Sequence, residues 1–337
     1  GYTTPAPQTH TVSASGTITF FGNYIGSSPI VLLVPGIFGT KLASSSGVVW
    51  LSDTTVEQSL ITPQALAPIE YNSSGRPVDA TVSVNAILNG VNYGGLFNLA
   101  SDTGDPQYEL DCTGLISLLP NCYHDFYVYN KLVSTLRSAG YPVVLFPYDW
   151  REDISLLAAE LNYVMNTVIS QNPSRPIALV AHSMGGLIVG ESFAKYGVPK
   201  PISHVVTLGT PFLGSVETYF ELRAWDSFYP AISPSDSLTI GEYWTSAYEL
   251  LPQWPFVDLQ NNIRPSAISI YDGASNQSVL PALPRGTGPA SALPLAVSVW
   301  KSERTVPLVP QAYAIVGSGL PTPTVVTDIL SQGECLQ

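Results

Sequence analysis

The sequence has 337 residues, of which 45% are hydrophobic and only 11% are charged, whereas about a quarter is the usual charged share. A chain of this length and composition forms a large core, either as one α/β domain with insertions or as two ordinary domains, and disorder is excluded. The net charge of −12 and the lack of a basic cluster argue against nucleic acid as a partner. The longest apolar runs have the length of strands, far below the ~20 residues of a membrane span.

The first third of the chain contains one strong strand signal and then little regularity. Residues 1–28 are rich in Thr, Ser and Pro and predict an extended arm, and the start at Gly1 indicates a mature or trimmed chain. A buried strand, IVLLV, follows at 30–34 and is ended by a Pro-Gly pair. Residues 48–123 show short strand-like runs and Gly or Asn turns without a helical period. They predict an insertion or lid region.

Two cysteines close a short loop inside this lid region. We expect Cys112 and Cys122 to form a disulfide, and we therefore expect a secreted protein in an oxidising compartment. The loop contains four apolar side chains, namely Leu115, Ile116, Leu118 and Leu119. It is either an apolar finger that enters a lipid surface or a satellite core under a cap, and the sequence leaves both open. The third cysteine, Cys335, is left over and indicates a partner on another polypeptide.

Helices and strands alternate in the middle of the chain. Asp125 is predicted to cap a first helix, which Gly140 ends, and Asp153 is predicted to cap a second. The apolar face of the first helix consists of Tyr129, Leu132, Val133 and Leu136. The apolar stripe of the second consists of Ile154, Leu157, Ala158, Leu161, Met165 and Val168. The remaining predicted elements are strands at 141–146, 177–180, 204–208 and 312–316 and a helix at 185–196.

This alternation predicts the fold class and the domain organisation. Apolar strands separated by helices form a parallel sheet that is covered on both faces, so the class is α/β. We expect a single domain over 1–337. Residues 212–305 are rich in aromatics and Pro, and we assign them to a cap over the carboxyl edge of the sheet.

The segment AHSMG at 181–185 lies between a predicted strand and a predicted helix and places Ser183 at the tip of a tight turn. A nucleophile elbow needs very small residues two before and two after the serine, and Ala181 and Gly185 meet that need. The backbone N–H of Met184 would then point at a developing oxyanion, and the candidate for the second donor is the backbone N–H of Ile37. These features predict a serine hydrolase. The alternative is an ordinary serine on a loop between core elements.

Five sequence blocks resemble those of the lecithin–cholesterol acyltransferase family, which also includes phospholipases A. They are LVPGIFGTKL (33–42), FPYDWR (146–151), AHSMGG (181–186), LGTPFLGS (208–215) and YAIVGSGLPTP (313–323). The resemblance implies an α/β-hydrolase fold, with a mostly parallel sheet, helices on both faces and lid and cap insertions. It also implies cleavage of an acyl ester, often of a phospholipid, through an acyl-serine at Ser183, with oxyanion amides from Ile37 and Met184. No metal or organic cofactor is implied.

A serine nucleophile requires a histidine base and an acid that orients it. The resemblance places both in segments beyond the GSGLPTP block, and this sequence holds neither segment. Of the histidines, His182 is expected to pack under the serine turn, His204 to lie at the far end of a strand, and His10 and His124 to be solvated. We therefore expect the acid and base on a C-terminal fragment, linked through Cys335, of a nicked protein. The alternative is a truncated chain.

Two pairs of charged residues have competing interpretations. Arg151 would hold a substrate phosphate, or Asp149 would act as an acid, but an intramolecular ion pair that fixes a strand end is favoured. Asp272 and Asp328 are the acids late enough for a triad, and both are expected at the surface. Two other functions stay open: a general lipase or carboxylesterase, and a non-catalytic lipid-binding protein of the same fold.

Overall fold

The computed structural model describes residues 28–50, 63–84, 129–222, 233–254, 257–259, 311–318, 326–328 and 335–336. Its strands are β1 (Ile30–Val34), β2 (Leu42–Ser44), β3 (Gly47–Trp50), β4 (Ser83–Val84), β5 (Val143–Leu145), β6 (Ile177–His182), β7 (Ile202–Leu208), β8 (Val257–Leu259), β9 (Ala312–Ile315), β10 (Val326–Asp328) and β11 (Cys335–Leu336). Its helices are α1 (Asn130–Ser138), α2 (Ile154–Gln171), α3 (Met184–Tyr196), α4 (Val216–Leu222), α5 (Pro234–Gly241) and α6 (Thr245–Glu249), with a 3₁₀ helix at Pro63–Ile69.

The main sheet is parallel and has the strand order β5–β1–β6–β7–β9. The chain passes from β1 to β5 on one side and then returns to β6 on the other side. The loops after β1 and β6 therefore diverge, and a crevice opens between the carboxyl ends of these two strands. Two smaller sheets, β3–β2–β4 and β11–β10–β8, lie outside the main one.

The side chains of β1 divide the core into two clusters. Ile30, Leu32 and Val34 pack in the cluster that contains the buried stripes of α2 and α3. Val31 and Leu33 point to the opposite face and pack with residues of α1. All five side chains are at most 3% exposed. The predicted α/β class, with helices on both faces of a mostly parallel sheet, is confirmed.

Most predicted elements are confirmed, and the predicted cap of the first helix is untested. Asp153 caps α2 by accepting a hydrogen bond from the Ser155 N–H, and α3 ends at Gly197 with φ of +76°. The described part of α1 begins at Asn130 with Tyr129 as its N-cap. Asp125, the predicted cap, lies outside the described residues. The hydroxyl of Tyr129 accepts a hydrogen bond of 2.7 Å from the N–H of Gly36, in the loop after β1.

The boundaries of the lid region (48–123) and the cap (212–305) stay predictions. Much of both regions, including Cys112 and Cys122, lies outside the described residues. Within the described ranges, the cap contributes α4, α5 and α6. No helix in those ranges is both long enough and apolar enough to cross a membrane.

A buried carboxylate connects the cap to the core. Glu249, at the end of α6, is fully buried, and its Oε2 accepts a hydrogen bond of 2.8 Å from the N–H of Ile154 at the start of α2. Burial, together with the nearby carboxylates of Asp153 and Glu191, raises the pKa of Glu249 well above its ordinary value of 4.5. The folded protein therefore binds a proton at the Glu249 carboxylate more tightly than the unfolded chain does.

We expect Glu249→Gln to make stability less dependent on pH. A raised folded-state pKa contributes stability that is complete below the unfolded value and is lost as pH rises towards the folded value, by at most about 1.4 kcal/mol per pH unit. Glutamine keeps the acceptor for Ile154 but does not titrate. Denaturant unfolding at pH 5, 7 and 9 measures this: the variant gains stability relative to wild type as pH rises. Parallel curves would contradict the prediction.

Candidate functional site

Ser183 lies at the sharp turn between β6 and α3, as the sequence predicts. Its backbone has φ of 49° and ψ of −126°, a strained conformation for a residue other than glycine. Hydrogen bonds hold the turn, because the Ser183 N–H donates to the Leu208 carbonyl at 2.9 Å and the Gly186 N–H donates to the Ser183 carbonyl at 3.0 Å. The turn is thus fixed to the carboxyl end of β7 and to the first turn of α3.

Small residues around the serine turn allow the backbones to approach one another. A Cβ atom at Gly185 would lie 2.5 Å from the carbonyl oxygen of Pro35 and 2.6 Å from that of Val34. A Cβ atom at Gly186 would collide with the side chain of Thr210. Ala181, two residues before the serine, is fully buried. The predicted requirement for a very small side chain two positions after Ser183 is therefore confirmed.

The loop after β1, residues 35–40, lies directly against the serine turn; we call it the β1 loop. A Cβ atom at Gly36 would be 2.8 Å from the Cβ of Ser183. Phe38 has φ of 64°, and the Gly39 N–H donates to the Gly36 carbonyl at 3.0 Å. Within the described part of the chain, the backbone N–H groups of Ile37 and Met184 have no hydrogen-bond acceptor.

Aromatic side chains hold the β1 loop from outside. The hydroxyl of Tyr148 donates to the Pro35 carbonyl at 2.7 Å. The indole N–H of Trp50 donates to the Phe38 carbonyl, and that of Trp150 donates to the Thr40 carbonyl, both at 3.1 Å. Ring centroids of Phe38 lie 5.1 Å from Trp50 and 4.7 Å from Trp150. The FPYDWR block is therefore largely a support for the β1 loop.

Asp149 and Arg151 in the same block form the expected intramolecular pair. Arg151 is fully buried and donates to both carboxylate oxygens of Asp149, at 2.8 and 2.6 Å. Its guanidinium also donates to the Ile69 carbonyl and lies 4.8 Å from the ring centroid of Tyr71. With its donors engaged in this way, Arg151 is not placed to hold a substrate phosphate.

A pocket of about 280 Å³ opens at the carboxyl edge of the sheet, beside Ser183. Its described lining consists of Ile37, Phe38, Ser183, Gly209, Pro211, Ser215, Glu217, Thr218, Glu221 and Leu250. Ser183 and Ile37, which the sequence placed in one site, thus face the same pocket. Glu217 and Glu221 were not predicted. The only signal was their spacing of four residues in a helical pattern directly after the LGTPFLGS block.

The two described histidines are not arranged as a base for Ser183. His182 packs under the turn as expected, with its Nδ1 2.6 Å from the hydroxyl of Tyr129, and burial lowers its pKa. His204 lies early in β7, far along the strand from the pocket residue Gly209, and stacks on Tyr313; burial lowers its pKa too. His10, His124 and Asp272 lie outside the described residues.

The late residues Asp328 and Cys335 lie in the small third sheet. They are register partners on the antiparallel strands β10 and β11. The structure describes the backbone of these strands, so the predicted surface position of Asp328 and the predicted link through Cys335 stay predictions. Among the described residues, no group of His, Cys, Asp and Glu is arranged to hold a metal ion.

Comparison with known proteins finds relatives of the segment that contains this site. The family model for lecithin:cholesterol acyltransferase matches residues 116–276, a segment that includes the serine turn and the pocket residues of α4. A curated relative, phospholipase A(1) LCAT3 of Arabidopsis thaliana, is 27% identical over 147 residues, which is 37% of this chain. The aligned segment spans 32% of that relative's length.

Solved structures give a matching fold. A chain of the Tle4–Tli4 complex aligns with a TM-score of 0.50 and 17% identity, covering 86% of this chain and 74% of that one. The mature form of the Bacillus licheniformis lipase BlEst2 aligns with a TM-score of 0.35 and 15% identity, over 67% of this chain and 55% of that one. The sheet, its helices and the first of these likenesses show an α/β-hydrolase fold. Residues 116–276 are similar to the lecithin:cholesterol acyltransferase family, and this match supports the resemblance that the sequence blocks indicate.

Proposed function

We propose that this protein is a secreted serine esterase that cleaves acyl esters of phospholipids or related lipids, as a phospholipase A or an acyltransferase. The Oγ of Ser183 attacks the ester carbonyl, and the backbone N–H groups of Ile37 and Met184 stabilise the oxyanion. Water or an alcohol then takes the acyl group from Ser183. The observation that carries this proposal is the placement of Ser183 at a strained strand-to-helix turn, in one pocket with Ile37.

The two oxyanion donors are supported by the hydrogen bonding of the β1 loop. The Gly36 N–H donates to the Tyr129 hydroxyl. The Gly39 N–H donates to the Gly36 carbonyl. The Ile37 N–H lies between them and has no acceptor among the described residues. A donor that is held rigidly and is not engaged by the protein can meet charge that develops on a substrate oxygen.

A lipid substrate is supported by apolar side chains at the rim of the pocket. Pro211 and Ser215 line the pocket, and Phe212 and Leu213 between them are 45% and 60% exposed. This loop is ordered by its own hydrogen bonds, since the Gly214 N–H donates to the Pro211 carbonyl at 2.8 Å. An apolar rim suits an acyl chain better than it suits a small polar ester.

The base and the acid belong to the proposal as well. Neither of the two histidines that the structure describes, His182 and His204, is placed to deprotonate Ser183. We propose that both groups come from a C-terminal fragment, held through Cys335. Gels under reducing and non-reducing conditions, with intact-mass spectrometry of protein from its natural source, test this. A lone species with a free thiol at Cys335 would contradict the disulfide link.

A fluorophosphonate probe tests the function, because it labels only a serine that a nearby base activates. Peptide mapping should place the label on Ser183, and phosphatidylcholine should be hydrolysed or should donate its acyl group. Labelling together with turnover of p-nitrophenyl esters but not of phospholipid would favour a general lipase or carboxylesterase. Absence of label in the full-length protein, with lipid binding intact, would favour a non-catalytic binder.

We expect the pocket to discriminate by substrate charge. Glu217 and Glu221 line it, and the described lining contains no Lys or Arg. Glu217→Gln should therefore raise kcat/KM for an anionic ester by about threefold at low salt, as expected for one charge at roughly 8 Å in a largely aqueous setting. Kinetics with a succinate half-ester and with its neutral methyl ester measure this.

The salt dependence provides the control for this prediction. A Coulombic effect shrinks as ionic strength rises, because the Debye length falls to about 3 Å at 1 M salt. The neutral ester should change little between wild type and variant at any salt concentration. An equal gain for both esters would indicate a change in pocket shape instead.

A further inference from the structure

One buried hydroxyl connects the β1 loop to the serine turn. The Gly36 N–H donates to the hydroxyl oxygen of Tyr129 at 2.7 Å, and that oxygen lies 2.6 Å from Nδ1 of His182. Tyr129 is only 3% exposed, and its ring meets the imidazole edge-on with centroids 5.6 Å apart. His182 is the residue directly before Ser183. The hydroxyl therefore contacts both the β1 loop and the serine turn.

The Gly36 N–H fixes the direction of the first hydrogen bond, and the tautomer of His182 sets the direction of the second. The hydroxyl oxygen accepts from Gly36 and has one proton to donate. Burial raises the pKa of Tyr129 and lowers that of His182, so the phenol stays protonated and the imidazole stays neutral at pH 7. We infer the tautomer with the ring proton of His182 on Nε2, in which the hydroxyl donates to Nδ1.

We propose that Tyr129 is a positioning residue for the reaction at Ser183, because its hydroxyl fixes the β1 loop against the serine turn through Gly36 and His182. The inference rests on the proposed function. Gly36 and Ser183 are already so close that a Cβ atom at Gly36 would be 2.8 Å from the Cβ of Ser183. A small movement of the β1 loop therefore changes the distance between Ser183 and the Ile37 N–H. Oxyanion stabilisation is sensitive to that distance.

Kinetics of Tyr129→Phe in the full-length protein test the proposal. The phenylalanine keeps the ring but leaves the Gly36 N–H and His182 Nδ1 without their partner. We expect kcat on p-nitrophenyl butyrate to fall by about tenfold or more, with KM changed less than about threefold, as for the loss of oxyanion alignment. Tyr248→Phe is the matched control, because it also removes a buried hydroxyl, one that donates to the Glu242 carbonyl at 2.7 Å. It should lower stability without lowering kcat.

Variants of His182 separate positioning from packing. In His182→Asn, the Oδ1 of the asparagine takes the place of the histidine Nδ1 and can accept the hydrogen bond from the Tyr129 hydroxyl. This variant should therefore keep most of the activity. His182→Leu cannot accept and should lose as much kcat as Tyr129→Phe. The double variant Tyr129→Phe/His182→Leu should be no worse than either single variant, because the two side chains act as one unit. Additive losses, or an unchanged kcat in Tyr129→Phe, would overturn the inference.

A spectroscopic measurement keeps this inference distinct from the proposed function. Nitrogen-15 NMR of His182 should show an unprotonated Nδ1 and a protonated Nε2 at pH 7, and the Gly36 amide should exchange faster with solvent in Tyr129→Phe. Absence of ester turnover in the wild type, with these signals present, would reject the function and keep the hydrogen-bond chain. Turnover in the wild type, with the opposite tautomer, would reject the inference alone.

Discussion

Ser183→Ala is expected to lower kcat for ester hydrolysis by at least about 10⁴-fold, as in other serine hydrolases that lose their nucleophile. The side chain is required for the acyl-enzyme, whereas the turn that carries it is held by backbone hydrogen bonds of Ser183 to Leu208 and Gly186. Alanine keeps those bonds, so the fold and the melting temperature should change little. Active-site titration with a fluorophosphonate, together with steady-state kinetics, measures the effect.

Two further variants make this test specific. Ser203→Ala removes a serine on β7 whose Oγ donates to the Ile177 carbonyl, far from the pocket, and should keep full activity. Ser183→Gly should also be inactive but should be more stable than wild type by about 1 kcal/mol, because glycine relieves the positive φ at this position. Retention of activity in Ser183→Ala would contradict the assignment of the nucleophile.

The sheet was predictable from the sequence because its strands are continuous apolar runs. IVLLV at Ile30–Val34 is buried on both faces, and no helical period competes with that pattern. The turn at Ser183 was predictable because such a turn needs very small residues near the serine, and the sequence has them. Gly185 and Gly186 lie against backbone and side-chain atoms of neighbouring segments, as that rule requires.

The role of Tyr129 was not predictable in the same way. In the sequence it is one apolar residue on the face of a helix, and its ring does pack in the core cluster beside α1. What distinguishes it is a hydroxyl that reaches Gly36, 93 residues earlier, and His182, 53 residues later. Contacts over such separations depend on how the sheet brings its loops together, which periodicity in a single segment does not encode.

The charged lining of the pocket shows the same limit. Glu217 and Glu221 have the spacing of one face of a short helix, but they line the pocket beside Ser183. The residue before this helix, Ser215, is held by its N–H, which donates to the Leu250 carbonyl at 2.7 Å. By contrast, the Asp149–Arg151 pair was predictable, because buried charges are stable only when they are paired and both residues lie on one strand end.

Gly185→Ala is the second substitution with a large expected effect, and it acts through geometry alone. Its Cβ would lie 2.5 Å from the Pro35 oxygen, 2.6 Å from the Val34 oxygen and 2.9 Å from Cγ1 of Val34. Two of these atoms are backbone oxygens, one at the end of β1 and one at the start of the β1 loop, so the contact cannot be relieved by a rotamer change. The serine turn and the β1 loop must move apart.

We expect this separation to lower kcat/KM by about 10²-fold or more, the usual loss when an oxyanion donor is misplaced. Overpacking of the core should also cost about 1–3 kcal/mol of stability. Gly317→Ala is the matched control, since a Cβ atom there meets nothing within 4 Å. Kinetics measured well below the melting temperature separate the two effects. Because the nucleophile itself is untouched in Gly185→Ala, slow labelling of Ser183 by a fluorophosphonate should persist. Normal turnover in a folded Gly185→Ala protein would contradict the role of the close contact between the turn and the loop.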